Sequence, residues 1–98
     1  MSATTTVLAR LQEWYRSQCD GDWEHSYGVR IETLDNPGWL VTVDLKDTAW
    51  EQLTAPRKIL ERSETDWVQS EIAEGKFVGC GGVANLEEVL ELFFDTVK

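Results

Sequence analysis

Ninety-eight residues allow one domain with a single modest core and leave no room for a second. With 42% hydrophobic and 28% charged side chains, the chain has the makeup of a folded globular protein, and no apolar run approaches the roughly 18 residues of a membrane-spanning helix. Eighteen acidic against nine basic side chains give a formal charge of −9, which argues against direct binding of nucleic acid or an anionic lipid surface and favours encounter with a basic partner; the same charge also serves solubility.

The opening Met1 to Thr6 lacks the basic start and apolar middle of an export signal, and two cysteines fit a reducing compartment, so a cytoplasmic location is expected. Val7, Leu8, Leu11, Trp14, Tyr15 and Cys19 recur at helical spacing and predict a helix over residues 4–19, capped by the preceding threonines and stopped at Asp20-Gly21. The period then falls to two. Tyr27, Val29 and Ile31 share one strand face; Trp39, Val41, Val43 and Leu45 share another. Pro37-Gly38 between these runs predicts a hairpin on a type II turn. Residues 47–56 read ambiguously: Asp47 to Leu53 fit a short helical turn, and Pro56 would end anything of that kind.

Residues 57–62 form a third strand, charged as edge strands are. Trp67 to Ala73 and Lys76 to Cys80 flank Glu74-Gly75, a second tight hairpin. Asn85 followed by Glu88 resembles a capping box, and it opens a last helix from Leu86 to about Val97 that buries Leu86, Val89, Leu90, Phe93 and Val97. The expectation is an α+β fold: an antiparallel four- to five-stranded sheet, a meander of hairpins, flanked by an N-terminal and a C-terminal helix over one face.

The densest polar cluster is Asp20, Asp22, Glu24 and His25 around Trp23. As a calcium loop it fails, because His25 stands where glycine is needed and Ile31 where glutamate is. Zinc or iron would want a second histidine, and the sequence has one, so no metal or other cofactor is expected. Cys19 lies at a helix C-terminus, where the dipole opposes a thiolate, and Cys80 has no basic neighbour closer in sequence than Lys76. Each reads as a small core residue, and no catalytic residue is assigned. A small enzyme using Cys19 or His25 stays open as an alternative, as does a binding adaptor. Five tryptophans carry more information. Trp14 and Trp39 fall on buried faces, whereas Trp23 and Trp50 stand in polar connections, where two readings stay open: at least half exposure of one or both, as suits a protein-binding surface, or a ring folded back as a lid on the small core.

The runs Leu11-Gln12-Glu13-Trp14-Tyr15, Gln18 to His25, Tyr27-Gly28-Val29 and Ile31 to Trp39 resemble the immunity protein 53 family, and the likeness returns at Lys76 to Gly82 and Leu86-Glu87-Glu88. Val83 departs from the proline that pattern has after the paired glycines. The resemblance implies a small α+β protein of a bacterial polymorphic toxin system, which neutralises a cognate toxin domain encoded beside it. Such a toxin is basic where it acts on nucleic acids. On this reading Asp20, Asp22 and Glu24 attract the partner, Trp23 anchors it and His25 donates or accepts a hydrogen bond, with the hairpin tip Asp35-Asn36 and Trp50 as further contacts.

Overall fold

The computed structural model describes residues 6–97. In chain order the elements are α1 (Val7–Gln18), α2 (Trp23–Ser26), β1 (Val29–Leu34), β2 (Gly38–Asp44), β3 (Ala55–Glu61), β4 (Trp67–Ala73), β5 (Lys76–Gly81) and α3 (Leu86–Thr96). Residues 4 and 5 of the expected first helix, and residues 1–5 of the segment read for an export signal, lie outside the described residues. No helix among the described residues is long and apolar enough to cross a membrane.

Helix α1 starts because Thr6 Oγ1 accepts the Ala9 N–H at 3.1 Å, satisfying one of the first-turn donors. Its Val7, Leu11 and Trp14 are buried, at the spacing of one helical face. The chain then turns away through Gly21, whose φ of +91° a side chain would resist.

The five strands pair antiparallel in the order β1-β2-β5-β4-β3. Val29, Val43, Phe77 and Ile72 are successive cross-strand partners, so they form one row on one face. Val43, Phe77 and Ile72 are nearly inaccessible, and α3 lies over them. Gly79 and Gly81 share that face. A Cβ on Gly79 would sit 2.7 Å from Val89 Cγ1, and one on Gly81 3.0 Å from Val89 Cγ2, so missing side chains on β5 set how closely α3 approaches. Helix α1 packs beside α3, with the Arg10 guanidinium 4.5 Å from the Phe94 ring centre. Among the described residues no helix covers the opposite sheet face, which includes Leu40, Cys80, Gln69 and Ile59.

The α+β class, the five-stranded antiparallel sheet and the flanking helices are as the periodicities predict, but the strands do not form the expected meander: β2 pairs β5, and the chain crosses from β2 to the far edge to begin β3. Four local expectations need correction. The Asn36–Pro37 bond is cis, and Gly38 already pairs with Leu34 as the first residue of β2 with no positive φ, so the type II turn does not form. Glycine is required at 38 for another reason: a Cβ there would meet the Gly81 carbonyl oxygen at 2.4 Å. Pro56 ends no helix; it lies inside β3, at an edge where no neighbour needs its missing N–H, beside a register shift between Ala55 and Lys58. Asn85 makes no side-chain cap; its amide is drawn off to Asp66 and Glu88. The stretch before β1, read as irregular, contains α2. At Glu74-Gly75 both residues have positive φ (54° and 75°), as the tight hairpin requires.

The glycine cradle gives a direct prediction. Gly79→Ala must displace Val89 or Phe77 from a closed core, and it should lower the free energy of unfolding in urea by about 1–3 kcal/mol.

Candidate functional site

The acidic segment is a structured turn rather than a free loop. Asp20 Oδ1 accepts the backbone N–H groups of Asp22 (3.0 Å) and Trp23 (2.9 Å), and so caps the short α2. Glu24 reaches back, with one carboxylate oxygen on the Asp20 N–H (3.0 Å) and the other on the Gly21 N–H (2.9 Å). These donors hold both acids ionised below their ordinary range: Trp23 and then Asp22 act on Asp20, while Glu24 is held by its own N–H and then by those of Asp20 and Gly21. Asp22 and His25 are exposed.

Trp23 is 4% exposed, which corrects the expectation that it stands as a surface anchor. The reason is packing. Its ring meets Trp14 edge-on at 6.1 Å and lies 6.2 Å from Tyr27, and its Nε1 donates to the Lys46 carbonyl at 2.8 Å. A tryptophan here has an acceptor for its polar atom and a core for its ring. Trp50 is half-buried, 5.9 Å from Trp14.

The bond from Trp23 to Lys46 brings the 20–26 segment beside the loop after β2, and the Leu45 N–H to the Gly75 carbonyl (2.7 Å) adds the β4–β5 turn. A groove of about 410 Å³ runs between the loop after β2 and the β4–β5 turn, lined by Lys46, Glu51, Gln52, Glu74 and Gly75. This end of the sheet therefore gathers Asp20, Asp22, Glu24, His25, Asp47, Glu51 and Glu74. Asp35 and Asn36 are exposed but belong to the other end, beyond the Leu34–Gly38 pair. Strand β1 separates the two groups by roughly 20 Å at the usual rise per residue.

Sequence reading missed a second polar cluster beside that tip. Arg62 donates to Asp66 (2.8 Å) and to Glu88, and Asn85 Nδ2 donates to the same two carboxylates at 2.9 and 3.1 Å. The Arg62 guanidinium foremost, and Asn85 after it, hold Asp66 and Glu88 below the usual carboxylate range. Asn85 itself is 6% exposed, and its Oδ1 has no partner among the described residues. The residues lie too far apart in sequence for spacing to reveal the contact; the Asn85–Glu88 interval was the visible signal, and it pointed to a cap instead.

Neither cysteine is fully buried, a correction to their reading as core residues. Cys80 lies on the helix-free sheet face between Leu40 and Gln69, where partial burial pushes its thiol up, away from the nucleophilic thiolate. The Cys19 thiol donates to the Tyr15 carbonyl at 3.2 Å. Among the described residues no three His, Cys, Asp or Glu side chains converge as metal ligands.

These features describe a two-layer α+β domain whose polar clusters serve to fix loops. The family model for immunity protein 53 (Imm53) matches residues 8–98, and the chain belongs to that family. No curated protein and no solved structure matches it.

Two predictions follow from this site. Trp23→Ala should cost about 3–5 kcal/mol in denaturant unfolding, as loss of a buried indole does, whereas Asp22→Ala and His25→Ala should leave the midpoint unchanged. The lowered acids of both clusters (Asp20, Glu24, Asp66, Glu88) contribute stability that is present above the unfolded carboxylate range near pH 4 and is lost as pH falls through their folded values. An acid titration followed by indole fluorescence should therefore report loosening only below about pH 4, and Asp20→Asn should shift that loss to a different pH.

Proposed function

We propose that this chain neutralises a cognate toxin domain by stoichiometric binding through the acidic end built from the 20–26 segment, the loop after β2 and the β4–β5 turn. Membership of the immunity protein 53 family over residues 8–98 is the observation that carries the reading. The charge distribution supports the choice of surface: six carboxylates, those of Asp20, Asp22, Glu24, Asp47, Glu51 and Glu74, stand there beside Lys46, Lys76 and His25. The partner this fits is a basic domain, such as one that acts on nucleic acid and must offer cations to phosphate. Carboxylates held on a rigid turn occupy that cationic face without being reordered on contact, which keeps the entropic cost of association low.

The indoles divide the work. Trp23 supports the acidic turn from beneath, and half-buried Trp50 supplies apolar contact at the rim. Exposed Asp22 and His25 reach the partner directly, and Asp20 and Glu24 add charge while holding the turn. Asp35 and Asn36 take part only where the toxin spans the length of β1. Partial burial favours the protonated thiol of Cys80, so this residue offers no ready nucleophile.

The test is co-expression with the toxin domain encoded beside this chain. Growth should be rescued, and rescue should survive Cys19→Ser with Cys80→Ser. In vitro, inhibition should titrate to one equivalent of protein per toxin. Asp22→Lys combined with Glu51→Lys should weaken binding at least about tenfold, and raised salt should weaken the wild-type complex. Protection at well below one equivalent, lost with either cysteine, would sink the proposal in favour of an enzyme.

A further inference from the structure

Strand β3 differs from the rest of the sheet. From Pro56 to Glu61 every residue is exposed, and two large aliphatic side chains face water on opposite sides: Ile59 at 61% and Leu60 at 49%. The other edge, β1, shows one comparable residue, Ile31 at 38%. Helix α3 reaches β4 and β5, so Leu60 lines an open groove of about 360 Å³ with Lys58, Ile59, Val68, Glu88 and Leu92.

We infer that β3 is the edge along which a second copy of this chain docks, antiparallel and centred on Ile59, to make one continuous sheet. The backbone has the right parity. Arg62 N–H donates to the Asp66 carbonyl at 2.8 Å, so by antiparallel alternation Leu60 and Lys58 turn their backbone groups toward β4 while Glu61 and Ile59 turn theirs outward. A two-fold axis through Ile59 then sets Ile59 against its own copy, Arg57 against Glu61 of that copy, and Lys58 against Leu60. Each of these matches: aliphatic on aliphatic, cation on anion, and a lysine stem along a leucine.

Charge also selects the occupant. Residues 57–62 hold three of the nine basic side chains of an acidic chain, so the basic partner proposed above is not drawn to this edge, whereas a second β3 offers its Glu61 to each Arg57. Pro56 and the register shift beside it end the ladder at Arg57. The paired stretch is short, and the interface is smaller than the roughly 1,600 Å² of a standard stable complex, so the dimer is concentration-dependent.

Sedimentation velocity from about 1 μM to 1 mM tests this, with circular dichroism to show that each variant is folded. Wild type should pass from monomer to dimer, and Ile59→Lys should raise the dimer Kd at least about tenfold. Glu61→Arg alone and Arg57→Glu alone set like charges opposite one another and should each stay monomeric. Mixed in equal amounts they should restore a heterodimer, because every opposing pair is again of opposite sign. Ile31→Lys on the other edge should leave the dimer intact. A wild type that stays monomeric throughout, a dimer that tolerates Ile59→Lys, failure of the mixture to reassociate, or loss of dimer with Ile31→Lys would overturn the inference. A monomeric wild type whose complex with the toxin weakens on Ile59→Lys would assign the edge to the toxin instead.

Discussion

Trp14 is the contact on which the rest of this small domain depends. Its ring meets Phe93 of α3 edge-on at 5.2 Å, Trp23 of α2 at 6.1 Å and Trp50 at 5.9 Å, so one side chain of α1 joins both other helices and the connection between β2 and β3. Phe93 in turn lies 5.2 Å from Phe77 of β5, which carries the contact into the sheet. The Trp14 Nε1 is buried with no hydrogen-bond partner among the described residues, so packing and not a polar anchor holds this ring. A chain this short buries a smaller share of its surface than a large domain does, and wide aromatic rings are an economical way to close its open end.

That constraint sorts the side chains into two populations. Trp23 is drawn fully under its segment and Trp50 partly so, and carboxylates remain as the outer layer of the same segments. The acidic turn shows the division within a few residues: Asp20 and Glu24 bond to backbone, Trp23 packs beneath, and Asp22 and His25 face water. Rigidity and charge thus arise from one local design, which is what the proposed binding surface requires.

Much of the architecture was legible because it rests on period. The three-four spacing of Val7, Leu11 and Trp14, the alternation of Val41 and Val43, and the Glu74-Gly75 turn each report a local rule, and each is met. The errors share a different cause. Trp23 is offered as a partner anchor because it stands among polar neighbours, but its burial depends on Trp14, Tyr27 and the Lys46 carbonyl, the last of these more than twenty positions away. Asn85 reads as a cap because Glu88 follows it, yet Asp66 and Arg62 compete for the same groups. Gly38 reads as a turn glycine, while its need for a missing side chain comes from Gly81 across the β2–β5 pair. Position along the chain carries the first kind of information and not the second. The candidate site suffered more than the fold for this reason, since a site is made by segments meeting in space.

The helix-free sheet face and the outward carboxylates have a consequence for divergence. Exposed positions such as Asp22 and Glu74 lie outside the buried core, so a lineage can exchange them for other polar residues at little cost to folding. Trp14, Gly79 and Phe93 have no such freedom. Related chains would then keep a common scaffold while their outer charges drift, and a change of partner would need only a few substitutions in the turns.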